Sequence, residues 1–250
     1  NESRQSFVGL SGGFGTVSLG RQYAPGYDFQ YDALASSPIL SAQAILSNYD
    51  AAVTIDAGGG SRWNNSIAYN GSFSGLKVRA IYAMGDQENT YVEPVGGKRM
   101  DPSDDDRFGL GVEYANGPLK VGAVYHYLKD PVSVIGSDDQ TEWLVGGSYN
   151  FGMLTLAASY QDVSSAGYDS TVDGNIWQVG VIVPVGAAGN VHVGYGEGEI
   201  EEAGAPDLKA KSYSIAYTHA LSKRTTAYAG YNRTDNDNGL DAGPVPYLPS

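Results

Sequence analysis

The chemistry available to this chain is electrostatic rather than covalent. Its three histidines, His126, His192 and His219, lie on separate segments with no serine and acid patterned beside them, so a hydrolytic triad has no basis in the sequence. Cysteine is absent and no His-x-x-x-His spacing occurs, which removes the usual transition-metal ligand sets. The glycines from Gly9 to Gly15 and from Gly58 to Gly60 match no phosphate-binding loop. Asp104, Asp105 and Asp106, inside the run from Asp101 to Arg107, carry oxygens enough for a divalent cation, although a solvated loop accounts for them more simply. What remains is a set of charges at alternate positions. Arg4, Arg62, Lys77, Arg79 and Lys120 stand in segments of alternating polarity, while Asp28, Asp32, Asp50 and Asp56 punctuate the long stretch from Tyr23 to Gly60. Acids and bases that face each other across a narrow aqueous passage create a transverse field, which orients dipolar solutes and tunes ion preference. No catalysis and no cofactor is expected from such a set.

The elements that position these charges read as β-strands. Many of the 19 tyrosines close short alternating segments: Ile67-Ala68-Tyr69, Val112-Glu113-Tyr114, Gly147-Ser148-Tyr149, Ala157-Ala158-Ser159-Tyr160, Val193-Gly194-Tyr195 and Ile215-Ala216-Tyr217. Apolar residues at every second position, with small or polar ones between, make a strand with one greasy and one wet face. Repeated this often with an aromatic at one end, the pattern is that of an antiparallel up-and-down transmembrane β-barrel, whose outward side chains meet lipid between aromatic girdles.

Taking the outward face in phase with the aromatics predicts Phe7 and Gly9; Trp63, Ile67 and Tyr69; Val78 and Tyr82; Val112 and Tyr114; Val121 and Tyr125; Trp143; Leu156; Trp177 and Val179; Val193; and Ile215 to meet lipid. The complementary set, expected to face the lumen, holds Arg4, Arg62, Asn64, Ser66, Lys77, Arg79, Glu113, Lys120, His126, Glu142, Gln178 and His192. Nearly every charge within a strand thus falls on one face. A wrong phase would have scattered them, and a charge at the lipid midplane costs about 2 to 4 kcal/mol. Arg21 is out of phase with the lumen set and reads as structural.

Connections alternate in length. Short glycine- and asparagine-rich turns are predicted at Ser11 to Phe14, Asn70 to Gly75, Asn116 to Pro118, Asn150 to Gly152, Gly186 to Gly189 and Leu221 to Arg224. Longer polar loops are predicted at 22–60, 85–106, 128–140, 162–174, 197–210 and 233–250. An up-and-down barrel has short turns on one rim and long loops on the other, whereas a soluble Greek-key sandwich has no reason to obey such alternation.

Composition is compatible with this reading. The 250 residues include 34 glycines and contain no apolar run of the roughly 18 residues that a spanning helix requires, so one domain without such a helix is expected. A mean hydropathy of -0.26 does not argue against a barrel, because the lumen-facing half of each strand dilutes the apolar signal. The formal net charge of -13 argues against a nucleic-acid partner, and the lack of cysteine excludes a disulfide framework.

At this point three ordered stretches carry a family resemblance. Arg4-Gln5-Ser6-Phe7-Val8-Gly9-Leu10-Ser11, followed by Gly15-Thr16-Val17-Ser18-Leu19-Gly20-Arg21-Gln22-Tyr23, resembles the hairpin before the constriction loop of Gram-negative general diffusion porins, especially those of β-proteobacteria. Ser61-Arg62-Trp63-Asn64-Asn65-Ser66-Ile67-Ala68-Tyr69 resembles the strand after that loop, and Ala220-Leu221-Ser222-Lys223-Arg224-Thr225 a late periplasmic turn. The resemblance implies a homotrimer of 16-stranded barrels in the outer membrane, bounded by lipid and lipopolysaccharide, through which ions and small hydrophilic solutes diffuse passively. On that pattern about twelve strands are present, with the first three and the last lacking from this stretch. It further implies that residues 23–60 fold into the lumen as a constriction, with the acids Asp28, Asp32, Asp50 and Asp56 facing a basic wall that includes Arg4 and Arg62. The stretch Ala33 to Ala44 departs from the family's commoner Pro-Glu-Phe-Gly-Gly-like sequence. Two other readings remain open from the residues alone: a non-conducting outer-membrane barrel acting as adhesin or anchor, and a soluble all-β protein whose tyrosines stack on a ligand.

Overall fold

The computed structural model of the chain describes residues 4–35, 37, 39–47, 62–85, 105–130 and 137–237. They form one 12-stranded sheet in which each strand pairs only with its sequence neighbours, in the order β1 to β12. The strands are β1 (Ser6–Gly12), β2 (Gly15–Tyr23), β3 (Arg62–Phe73), β4 (Leu76–Ala83), β5 (Arg107–Asn116), β6 (Leu119–Leu128), β7 (Gln140–Asn150), β8 (Thr155–Ser164), β9 (Val172–Val185), β10 (Gly189–Glu202), β11 (Leu208–Ser222) and β12 (Thr225–Asp237). All eleven pairings are antiparallel. Among the described residues between β2 and β3 lie two short helices, α1 (Pro25–Asp28) and α2 (Ala42–Ser47).

The sheet is built inside out relative to a water-soluble fold. Val121, Val145, Leu156, Val193 and Ile215 stand exposed on one face, while Gln161, Gln178, His126, Glu142 and Ser212 are buried on the other. A continuous apolar face of this kind is unsustainable in water and is the lipid surface of a transmembrane barrel. Aromatics rim it in contact with one another: Trp143 lies 5.2 Å from Tyr160, Trp177 5.4 Å from Tyr195, and Tyr195 4.9 Å from Tyr213.

The alternation phase departs from the sequence-based expectation in two places. In β1, Gly9 pairs with Ser18 and Phe7 with Gly20, so both share the inward face with buried Ser18; Val8 and Leu10, opposite Leu19 and Val17, are the outward residues. The run Phe7-Val8-Gly9-Leu10 has no polar residue to fix its phase, and the aromatic was a misleading guide. In β3, Asn65 adopts a left-handed φ of 47° and the register with β2 shifts between Gly20 and Gln22. This bulge reverses the parity of the strand beyond it. Trp63 therefore faces inward beside Gln22 and is buried, and Arg62 and Asn64 do not share the face of Ser66.

Several strands outrun their expected bounds. β3 continues to Phe73, leaving only Ser74 and Gly75 as turn, and the connections after β8 and β10 shrink to 165–171 and 203–207. Glu197 and Glu199 stand opposite Lys211 and Lys209 on adjacent strands, with Lys209 2.5 Å from Glu199. This polar ladder rises past Tyr195, so its composition resembles a loop although its backbone is paired.

Candidate functional site

The described part of the segment between β2 and β3, within residues 24–47, runs across the inward face of the sheet. Pro25 at the first helical position starts α1, and Pro is suited there because its missing N–H would be unpaired anyway. Ser41 starts α2 by accepting a bond from the Ala44 amide at 3.0 Å. Between the helices Asp32 ties the chain on itself: its carboxylate accepts from the Leu34 amide at 2.7 Å, the Ser41 hydroxyl at 2.7 Å and the Gln43 amide at 3.2 Å.

Glycines of the wall make room for this path. A Cβ at Gly109 or Gly111 of β5, Gly122 of β6, Gly146 of β7, Gly180 of β9, Gly194 of β10 or Gly230 of β12 would come within 3.0 Å of the segment. The atoms it would meet belong, in that order, to Pro25, Phe29, Tyr31, Tyr31, Ala33, Leu34 and Leu40. The chain thus advances from β5 to β12 as its residue numbers rise. Phe29, Tyr31, Val124 and Leu144 pack as one buried cluster, and Leu34, Leu40 and Ala216 as another.

Polar wall side chains fasten the same path. The His126 ring accepts from the Gly26 amide at 3.2 Å, and its other nitrogen meets Glu142 at 3.0 Å. Gln178 donates to the Tyr31 carbonyl, Gln43 to Gln161 at 3.0 Å, Gln161 to the Ser47 hydroxyl at 3.2 Å, and His192 contacts the Ala33 carbonyl at 2.8 Å. Asp28 is paired with Arg79, which also donates to the Tyr23 carbonyl. Lys77 stands 4.7 Å over the Phe29 ring and opposite Glu113, whose carboxylate accepts from the Tyr31 hydroxyl at 3.0 Å. Burial, aided by the Glu113 charge, pushes the Tyr31 phenol well above its ordinary range.

The candidate charges therefore divide. Lys77, Arg79 and Lys120 lie on inward positions of β4 and β6, Lys120 toward the turn at Gly117 and Pro118. Arg4 donates to the hydroxyls of Tyr23 and Tyr27, which stack with centroids 3.7 Å apart, and Arg62 is the strand partner of Tyr23. Arg21 bonds Asn64, as befits a structural role. Asp28 is consumed by Arg79 and Asp32 by backbone and hydroxyl donors, while Asp50, Asp56 and Asp104 lie outside the described residues. Asp106 accepts from the Tyr82 hydroxyl and the Gly85 amide, and no group of metal-ligating side chains occurs among the described residues.

An up-and-down transmembrane sheet with a chain segment laid over its wet face is matched by a family model described as Gram-negative porin, over residues 1–239. The chain belongs to the Gram-negative porin family. Outer membrane porin protein 32 of Delftia acidovorans is 31% identical over 98% of this chain and 68% of its own length, and an outer-membrane porin protein of Bordetella pertussis is 28% identical over 67% and 51%. This chain thus spans between half and just over two thirds of those curated relatives. Among solved structures, an anion-selective porin from Comamonas acidovorans superposes with a TM-score of 0.76 at 30% identity, covering 96% of this chain and 72% of the other. A loop-deletion form of OmpT from Vibrio cholerae reaches 0.73 at 16% identity, covering 94% and 75%, a likeness of fold alone. The porin is an outer-membrane β-barrel protein of Gram-negative type, and its family are channels rather than enzymes.

Residues of the porin that sequence reasoning passed over are the fasteners: the glycines under the segment, Gln161, and the role of His126 and Gln178 in holding a backbone. Their signal was their inward parity, which separates wall from lipid face but does not say what lies against the wall.

Proposed function

We propose that the inward face of this sheet bounds a water-filled passage for passive diffusion of ions and small hydrophilic solutes, and that the segment after β2 is its constriction. The observation that carries this reading is the line of glycines from Gly109 to Gly230 under Pro25 to Leu40, which sets the segment against the polar wall rather than outside it. Its described part brings no free carboxylate into the passage, because Asp28 and Asp32 are both occupied. Lys77 and Lys120 are then left to bias the passage toward anions, in keeping with the anion selectivity for which the Comamonas relative is named. Assembly as a homotrimer in contact with outer-membrane lipid and lipopolysaccharide is inferred from the family resemblance, and OmpT of Vibrio cholerae, a solved structure of similar fold, has a trimer form.

Purified full-length protein in planar bilayers tests the proposal. Stepwise conductance that rises when residues 36–47 are deleted supports a constricted channel. A barrel that inserts without conducting would favour an adhesin or anchor, and unchanged conductance after the deletion would place the constriction elsewhere.

A further inference from the structure

We propose that His126 is a proton-operated latch on the α1 end of the constricting segment. The inference rests on the constriction reading above, and its basis is hydrogen-bond direction. The Gly26 amide can only donate, so the Nε2 atom it meets at 3.2 Å must carry a free lone pair. The ring proton is therefore on Nδ1, where it is donated to Glu142 at 3.0 Å. Both partners are satisfied only by a neutral imidazole of this one tautomer. A second proton would go to Nε2, turning it from acceptor to donor and setting it against the Gly26 N–H. Neither group can turn away, because His126 is buried, Pro25 rests on Gly109 across the strand, and the Trp63 ring lies edge-on to the imidazole at 5.1 Å. Separation of α1 from the wall relieves the conflict.

The second wall histidine lacks this property. His192 directs Nδ1 at the Ala33 carbonyl, which can only accept, and Nε2 at the Thr218 hydroxyl, which can donate or accept. A second proton on Nε2 needs only a hydroxyl rotation, so both contacts survive. Of the two histidines that fasten the segment, one is sensitive to protonation by geometry and the other is not.

The charges around His126 have defined sources. β7 supplies Glu142, which also accepts from Gln140 at 2.6 Å. β5 supplies Arg107, next inward along the strand from Gly109, and β3 supplies Trp63 with Arg62 adjacent. α1 supplies Asp28, which is paired with Arg79 of β4. Asp105 and Asp130 lie within electrostatic range of Tyr168, as do Arg107 and Glu142. A falling pH is what supplies the second ring proton, so the latch opens on acidification.

Hydrogen exchange at residues 24–29 of the full-length protein in detergent, corrected for intrinsic rates, reads the latch without reference to conductance. Protection is expected to fall roughly tenfold between about pH 7.5 and 5 in wild type and in H192Q. It should stay level in H126Q, where a neutral amide can still accept from Gly26 and donate to Glu142. An equal fall in H126Q, or none in wild type, overturns the proposal. Should H126Q fail to assemble, nitrogen-15 shifts of the wild-type imidazole decide: a proton on Nδ1 with a bare Nε2 near neutrality is expected, and the opposite tautomer refutes the latch. If deletion of 36–47 leaves conductance unchanged while exchange still depends on pH through His126, the constriction reading falls and the latch stands; the converse sinks the latch alone.

Discussion

Arg79 of β4 binds the Asp28 carboxylate and the Tyr23 carbonyl at once, so the first acid of the inward segment is neutralised by the wall it was expected to face at a distance. Mutating the two partners should therefore move ion preference in opposite directions. In the full-length protein, D28N frees a guanidinium and should shift the reversal potential under a salt gradient toward anions, whereas R79S frees a carboxylate and should shift it toward cations. Lys77→Ser should act in the cation direction as well. Each shift should shrink in about 1 M salt, where the screening length falls to roughly 3 Å. Shifts of the same sign for D28N and R79S would show that the pair does not border the passage.

Asp32 calls for the opposite expectation. Its carboxylate is occupied by three donors from within the segment and is nearly buried. D32N should loosen the turn between the helices by about 1.5 to 3 kcal/mol, the range for hydrogen bonds to a charged acceptor. Exchange at residues 33–44 should quicken and channel noise increase, with ion preference unchanged. A selectivity shift as large as that of R79S would return Asp32 to the role of a field-setting acid.

The glycine path can be tested by adding single methyl groups. Alanine at Gly111 meets Phe29, and alanine at Gly230 meets Leu40, so each should push the segment off the wall and change conductance while leaving the strand ladder intact. Gly13, where an added Cβ meets nothing within 4 Å, is the control and G13A should be silent. Equal effects at all three sites, read by single-channel recording, would mean that the methyls disturb the barrel rather than the segment.

Tyr31 gives the segment an alkaline limit. Burial and Glu113 raise the phenol above its unfolded value, so the folded state retains a proton that the unfolded chain surrenders. The stabilisation is complete below about pH 10 and declines as pH rises past it toward the raised folded value. Exchange at residues 29–34 should therefore accelerate more steeply above about pH 10 in wild type than in Y31F. Equal slopes would show that the Tyr31–Glu113 contact does not hold the segment.

Fold class was legible in the sequence because period-two alternation is strict where polar and apolar residues take turns, as from Leu76 to Ala80. It failed where the turn-taking lapsed. Phe7-Val8-Gly9-Leu10 offers no polar residue to fix a phase, and a bulge such as that at Asn65 depends on one left-handed residue that composition does not announce. The stretch 197–210 reads as loop although most of it is paired strand, because strands that rise beyond the aromatic rim are as polar as loops. The site was legible only in part. Parity placed Lys77, Arg79 and Lys120 on the wall, but whether a loop acid stands free or is tied depends on contacts such as Arg79 with Asp28 and Leu34 with Asp32, which span the fold.

Parity itself is open to a direct measurement with thiols. In the full-length protein in intact outer membranes, a membrane-impermeant reagent should label cysteine at Lys120 and spare one at Val121, since Lys120 is on an inward position and Val121 on the lipid face. The informative sites are those where the bulge and the edge strand reverse the aromatic-based phase. Cysteine at Val8 should be protected by lipid, because Val8 stands opposite outward Leu19, and cysteine at Gly9, opposite Ser18, should be on the water side. Cysteine at Trp63, packed among Ala24, Ala68, Ile81 and His126, should label slowly although it faces inward. Prompt labelling at Val8 with protection at Gly9 would restore the simpler phase and remove the reversal in β1.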